Sequence, residues 1–364
     1  MLSIVFDINE LKVQSEESVK FAKNAIKGLP VIFISDDTAE VCNFFKKHDM
    51  DKYISEAEKY ASINEFWENN RDKTEAWFLI ITNDELRFKS LGSQFVCCPY
   101  EFWGSTEQFE NTSFTEHAKK KLLYNELSWL YMDSIANDTE LEVTFLENLF
   151  RKHGVNRILD CCCGVGRHTC RLGKSGFKVT GVDASVNQIN TAIKTNNNEN
   201  VEYQVSDARS FKLPQKYDAA ICMWTTYNYF SKGKDISALL SNISDHLRDK
   251  GILVLDSKNI PILETSRLYH RRTQREDIDL TLLVYKRIMG MIQNSQYFYF
   301  ISNGHEKNFY VDEEFVRFYT LDELKSLNNT RFRLIHAYGD FEGNAYDPQN
   351  SERMITVWEK YAEG

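Results

Sequence analysis

Residues 157–185 read RILDCCCGVGRHTCRLGKSGFKVTGVDAS, and the parsing of this stretch decides the fold. The apolar run from Arg157 to Cys163 has the pattern of a buried strand and Gly164-Val165-Gly166 that of a tight turn. Residues 167–176 read as a helix with its stop, and Lys178–Ala184 as the next strand. A strand, glycine turn, helix and strand ending in an acidic residue, here Asp183, is how an α/β sheet builds a nucleoside site. Gly164 and Gly166 let the backbone turn sharply and approach a ligand, while a carboxylate at the tip of the second strand can accept from both ribose hydroxyls. The dinucleotide fingerprint G-x-G-x-x-G is not completed, because position 169 is Thr169.

The cysteine run inside this stretch invites a metal or redox reading, which the rest of the chain does not support. The eight cysteines form no CxxC pair and are diluted through 364 residues, so neither a zinc module nor a disulfide framework is indicated. Free cysteine packs as a small hydrophobe, so Cys161 and Cys163 fit a buried strand, with Cys162 where a small side chain is needed. No metal is expected.

Working outward, VEYQVSDARSF reads as a strand whose tip presents Asp207, and KYDAAICMWTTYNYFSKGKD as a fourth strand followed by a loop crowded with Tyr227, Tyr229 and Phe230. GILVLDSKN is a fifth strand. FYTLDELKSLNN is a helix with a capping box, Thr320 followed three residues later by Glu323. FRLIHAYGDFEG and RMITVWEK close the sheet. Between them, LTLLVYKRIMGMIQ, SQYFYFISN and EKNFYVDEEFVRFY alternate as antiparallel strands do.

In order along the chain, ILDCCCGVGRH, GVDAS, VSDARSF, YDAAICMWTTYNYF and LRDKGILVLDSKN resemble the motifs of the class I S-adenosylmethionine-dependent methyltransferases. The resemblance implies a Rossmann-like α/β fold over residues 106–364 with an antiparallel insertion at about 279–319 that covers the substrate, and S-adenosylmethionine as cofactor. By the same resemblance Asp160 orients the methionine amine, the Gly164–Gly166 turn passes under the methionine, Asp183 binds the ribose and Asp207 the adenine amino group. Cys162 stands where the family more often has glycine. Cys162, Arg167, Ala184 and Ala208 are grouped with these as cofactor contacts, and backbone near Met223 meets the sulfonium. LLYNELSWLYMDSI resembles the helix over the cofactor and offers Tyr124 and Tyr131. The aromatic loop is similar to the T-S-F-G-Y-F stretch of small-molecule methyltransferases. Arg317 and Tyr319 resemble an R-x-Y-T segment, and GDFEGNAYD, with Tyr346, a GDFDGxPY turn, which makes these three the substrate candidates. For an acceptor that must lose a proton, the candidate bases are His305, Tyr227 and Tyr229.

The first ~105 residues form a different α/β unit. LSIVFDINELKV, LPVIFISDD, AWFLIITND and SQFVCCP resemble a small haloacid dehalogenase-like domain, with a response-regulator-like receiver as second choice. The dehalogenase motif D-x-D-x-T is broken, since DINEL supplies Asp7, Asn9 and Leu11. Asparagine cannot donate and recover a proton, so a degenerate scaffold or recognition domain is expected.

The formal net charge of −9 repels a long polyanion, and the basic runs FAKNAIKG, HAKKKLL and LYHRRTQRED are short and read as solvated faces beside acidic residues. No run approaches the ~18 apolar residues of a membrane helix, and the amino terminus has no secretory pattern, which points to the cytosol. The expected activity is methylation of a small molecule or short peptide by in-line displacement. The rival readings are a protein or RNA methyltransferase that recognises partners through its leading domain, and a cofactor-binding pseudoenzyme. A homodimer is one assembly left open.

Overall fold

The computed structural model describes residues 2–7, 23–25, 29–35, 46–47, 58–60, 63–70, 72–73, 76–81, 95–98, 122–125, 127, 139–263, 266–275, 277–304, 306–328 and 330–362. The chain divides into two compact units. The first comprises residues 1–110, 264–288 and 294–313, and the second 111–263, 289–293 and 314–364.

The first unit opens with strands β1 (Leu2–Asp7), β2 (Val31–Ile34) and β3 (Glu58–Tyr60), helix α1 (Ile63–Asn70), and strands β4 (Trp77–Ile81) and β5 (Phe95–Cys98). All five strands are parallel, in the order β3-β2-β1-β4-β5. Near-continuous apolar runs such as WFLII suit strands covered on both faces. Val5, Ile32, Ile34, Phe78 and Ile80 pack against Phe66 of α1. The strand order reverses between β1 and β4, and Asp7 ends β1 at that point. The receiver-like alternative requires the order 2-1-3-4-5, which the described strands do not have.

A four-stranded antiparallel meander, β11 (Ser266–Arg275), β12 (Ile278–Met289), β13 (Ile292–Asn303) and β14 (Glu306–Arg317), supplies the remainder of this unit. Phe300 of β13 meets Trp77 of β4 edge to face at 5.3 Å, and the Lys307 ammonium lies 4.8 Å from the same indole while donating to the Ala76 carbonyl at 3.1 Å. The sequence placed the insertion with residues 106–364. Over most of its length it groups instead with the amino-terminal unit, because its apolar face finds partners such as Trp77 there. The basic run LYHRRTQRED, read as a solvated face beside acidic residues, largely forms β11. That strand is the edge of the meander, where charged side chains block further pairing.

The second unit is built on a seven-stranded sheet of order β15-β16-β10-β9-β6-β7-β8. Its strands are β6 (Arg157–Cys161), β7 (Lys178–Asp183), β8 (Val201–Val205), β9 (Tyr217–Cys222), β10 (Leu247–Lys258), β15 (Phe332–Tyr338) and β16 (Arg353–Lys360). Only β16 runs antiparallel to its neighbours. The helices are α2 (Thr139–Lys152), α3 (Arg167–Lys174), α4 (Val186–Thr195), α5 (Gly233–His246) and α6 (Leu321–Asn328). One face of the sheet is covered by Val143, Leu146 and Phe150 of α2 with Leu172 of α3, the other by Ile236, Leu239 and Leu240 of α5. The capping box of α6 is present: Glu323 N–H donates to Thr320 Oγ1 at 3.2 Å, and Thr320 N–H to Glu323 Oε2 at 2.8 Å. Chain order reverses between β6 and β9, which puts the ligand crevice of such a sheet at their carboxyl ends.

Candidate active site

The turn after β6 holds three consecutive alternate residues in the left-handed region, Cys162 at φ 60°, Gly164 at 56° and Gly166 at 75°. At Gly166 a Cβ would also run into the Tyr203 ring, so both space and dihedral call for glycine. Cys162 adopts the same conformation with a side chain, at a cost of about 1 kcal/mol or more. This is the position where the family resemblance led one to expect glycine.

Asp183, at the tip of β7, is fixed by main-chain donors. Gly164 N–H reaches Oδ2 and Ser185 N–H reaches Oδ1, each at 2.9 Å. With about four acceptor sites on the two oxygens, the carboxylate keeps capacity to accept a ligand hydroxyl beside its main-chain donors. Burial raises its pKa and these N–H groups oppose the rise. Ala184 N–H also bonds to it. Ser185 caps α4 and its hydroxyl donates to the Tyr124 carbonyl, which brings the 3-10 turn Leu122–Tyr124 close to the tip of β7. Tyr124 and Tyr229, assigned separately by sequence to cofactor and catalysis, meet hydroxyl to hydroxyl at 2.7 Å.

Asp160 ends the buried face of β6, is 2% exposed and accepts from Thr169 Oγ1 at 2.6 Å. Burial pushes its pKa up to about 7. Asp207 is engaged by Arg209, whose Nη2 donates to Oδ2 at 2.6 Å and whose Nη1 reaches Asp235 at 3.0 Å. An adenine amino group would share this carboxylate with Arg209. Ala208 is buried beside it, its carbonyl accepting from Asn242 at 3.1 Å.

Several other candidates are placed differently from the sequence reading. Tyr227 is fully buried and its phenol donates to Ser257 at 2.9 Å; burial raises its pKa, the wrong direction for a base. Arg317 pairs with Glu323 at 2.6 Å and lies 4.3 Å over the Tyr319 ring, whose hydroxyl donates to the Phe230 carbonyl. Burial pushes the Tyr319 pKa up to about 12. Tyr346 donates to Asn259 Oδ1 at 3.2 Å. Arg317, Tyr319 and Tyr346 thus serve contacts within the fold. Tyr131 and His305 lie outside the described residues, as do Asn9 and Leu11.

The structure adds a buried polar cluster that the sequence reading missed. Glu142, 1% exposed in the first turn of α2, accepts from Arg167 Nη1 at 2.8 Å, from His168 Nε2 at 2.7 Å and from the Trp224 indole. Burial, followed by the Arg167 charge, holds His168 down at about 4, so it is neutral at pH 7 and the ion pair is Arg167 with Glu142. Asp256, fully buried on β10, takes both Nε and Nη2 of Arg353 at 2.6 Å and the Trp224 main-chain N–H at 2.8 Å. Trp224 and Thr225 follow β9 at φ 60° and 63°, and the Trp224 ring carries Arg167 at 4.4 Å and Arg353 at 5.9 Å. Met223, buried just before them, is therefore joined to a rigid, strained corner, a feature that gathers at functional sites. A carboxylate on the apolar stripe of α2 and another inside GILVLDSK were the signals available in the sequence.

Residues 158–251 match the family model described as a methyltransferase domain. That stretch runs from β6 into β10 of the seven-stranded sheet. Rat glycine N-methyltransferase is 29% identical to the chain over 185 residues, 45% of this chain and 63% of that enzyme. The glycine/sarcosine N-methyltransferase of Aphanothece halophytica is 29% identical over 126 residues, 34% of this chain and 48% of that enzyme. The alignments thus span less than two thirds of either relative. Among solved structures, an S-adenosylmethionine-dependent methyltransferase from Clostridium acetobutylicum superposes with a TM-score of 0.55 at 15% identity, covering 66% of this chain and 99% of that one. A sugar N-methyltransferase from Streptoalloteichus gives 0.56 at 16%, covering 64% and 92%. The chain therefore shares the α/β fold of these methyltransferases. Its glycine turn, Asp160 and Asp183 stand together at the switch point, and their chemistry suits a nucleoside with an attached ammonium.

Proposed function

We propose that the protein transfers a methyl group from S-adenosylmethionine to a small molecule or short peptide. The observation that carries this reading is the Asp183 carboxylate locked onto the Gly164 and Ser185 N–H groups, beside a left-handed turn. When bound, the cofactor supplies an electrophilic methyl on a sulfonium. The chain's own residues do the rest. Asp183 holds the ribose, Asp160 the ammonium, and Asp207, shared with Arg209, the adenine. The corner Met223-Trp224-Thr225, held by Glu142 and Asp256, fixes the floor on which the acceptor lies, so proximity and exclusion of water carry most of the rate. With Tyr227 committed to Ser257, the phenols of Tyr124 and Tyr229 are the described candidates to take a proton or orient an acceptor.

An amine is the acceptor class that the named activities of the relatives favour, glycine, sarcosine and sugar N-methylation among them. Incubation with S-[methyl-3H]adenosylmethionine and a panel of glycine, sarcosine, amino sugars and short peptides tests the reading. Label transfer to one class supports it, and binding of S-adenosylhomocysteine with no transfer to any would favour the pseudoenzyme.

The first unit is, in our reading, a degenerate haloacid dehalogenase-like scaffold. Its support is the parallel order β3-β2-β1-β4-β5 with Asp7 at the reversal, next to Asn9 in place of a proton donor. No described helix is long and apolar enough to cross a membrane. Together with the charge pattern this supports a cytosolic protein with a small-molecule partner and no nucleic acid.

A further inference from the structure

Strand β11 concentrates positive charge in a chain that is negative overall. Its ten residues hold Arg267, Arg271, Arg272 and Arg275 and no acidic side chain, while the whole sequence carries a net −9. Among the described strands β11 pairs only with β12, so its other side is an edge of the meander. Arg267, Tyr269, Arg272 and Arg275 are exposed and Arg271 is half-buried. The register with β12 sorts these side chains. Arg267 stands opposite Lys286, Tyr269 opposite Val284 and Arg271 opposite Leu282. Successive residues alternate between faces, so Arg267, Tyr269, Arg271 and Arg275 share one face with Lys286. The contacts agree: the Tyr269 ring centroid lies 5.5 Å from the Arg267 guanidinium and 5.8 Å from the Lys286 ammonium. On the opposite face Arg272 turns back onto Asp279, donating to its two oxygens at 2.8 and 2.6 Å. One face of the edge thus presents arginine at every fourth residue, about 13 Å apart, and the other answers its charge within the hairpin.

An exposed strand edge offers main-chain N–H and C=O groups to an incoming extended chain. The arginines that keep ordinary strands off this edge attract one that carries carboxylates at the same repeat, because side chains directly opposite in added strands stabilise the pair when their charges are unlike. A nucleic-acid strand fits less well. Its bases need an aromatic face to stack on, and the Tyr269 ring is engaged by Arg267 and Lys286. The net charge also opposes a long polyanion. We propose that β11 is a docking edge for an acidic, extended segment of a partner protein, which adds as a strand outside β11 with carboxylates opposite Arg267, Arg271 and Arg275. This surface belongs to the first unit, and the inference stands apart from the methyl-transfer reading.

The test is fluorescence anisotropy of the full-length protein with a fluorescein-labelled peptide of Thr and Val that carries Glu at every fourth residue. Saturable binding is expected, weakening as salt is raised, and the same peptide with Lys in place of Glu should not bind. Of two Glu peptides N-methylated at alternate amides, the one whose donors face β11 should lose binding and the other keep it, since only one set of amides meets the edge. Arg271→Glu should weaken the Glu peptide by on the order of tenfold, through loss of one attraction and gain of one repulsion. Lys194→Glu, the same charge change on an exposed position of α4, should leave it within about twofold. No saturable binding of the Glu peptide overturns the proposal. So do equal losses in Arg271→Glu and Lys194→Glu, which would show attraction by overall charge, and equal binding of both N-methylated peptides, which would exclude strand addition. Tighter binding of oligo-dT than of the Glu peptide would make the edge a nucleic-acid surface and overturn it as well. Should Arg271→Glu not fold, the peptides on wild-type protein decide.

Discussion

Replacing Asp160 by asparagine should make the ligand-free protein more stable at neutral and alkaline pH while crippling it as a binder. The carboxyl has an ordinary value of 3.8 in the unfolded chain and is raised by burial to about 7 in the fold. Between those values the unfolded chain binds fewer protons than the native one, so native stability falls as pH rises from about 4 to about 7 and the penalty is constant above. At 1.36 kcal/mol per pH unit, a rise of about 3 units costs about 4 kcal/mol at pH 8. Asparagine removes the charge and keeps an acceptor for Thr169 Oγ1, at a loss of about 1 kcal/mol for the weaker bond. Asp160→Asn should therefore exceed wild type by about 3 kcal/mol at pH 8, and the advantage should vanish towards pH 4. Thermal and urea unfolding of ligand-free protein across this range measure it. A variant less stable than wild type at pH 8, or a difference that ignores pH, would refute the reasoning. Because a bound ammonium favours the ionised carboxyl, S-adenosylhomocysteine affinity of the wild type should itself drop as pH falls below about 7.

Asp183→Ala should weaken S-adenosylhomocysteine by about 1.5 to 3 kcal/mol, read by titration calorimetry, and unchanged affinity would remove the ribose assignment. Arg353→Met leaves Asp256 buried without its partner, and should lower stability by about 3 to 5 kcal/mol in urea unfolding. Cys161→Ala and Cys163→Ala, both buried, should each cost about 1 kcal/mol or more and bind S-adenosylhomocysteine normally, with no stoichiometric zinc or iron in the purified protein by elemental analysis. Asp7→Asn should leave methyl transfer intact, and the wild type should not hydrolyse p-nitrophenyl phosphate with magnesium; turnover lost in Asp7→Asn would show a second active unit.

What could be read in advance follows the range of the interactions. The strand, turn and helix of residues 157–174 were legible because apolar runs and glycines act locally, and so was the Thr320–Glu323 box, whose members are three residues apart. The place of Asp183 at a strand tip was legible because it depends only on the strand that ends there. The pair Asp256–Arg353 was not, because its members lie 97 residues apart and nothing local marks them as partners. Tyr227 and Tyr229 look alike in sequence, yet one faces Ser257 in the core and the other Tyr124, since a single 3-10 turn points neighbouring side chains in different directions. The β11 strand was hidden because its edge position favours the charges that elsewhere mark a solvated helix.

The division of the chain into its two units has a consequence for inheritance. The polypeptide passes from one unit to the other at 110/111, 263/264, 288/289, 293/294 and 313/314. Two domains joined once can be shuffled, lost or expressed apart; these cannot. A cut near residue 110 would strip the meander of Trp77 and leave its apolar face uncovered inside the remaining chain. Selection on the carboxy-terminal part of the chain therefore also retains residues 1–110, which can persist as the folding partner of the meander whatever chemistry they carry.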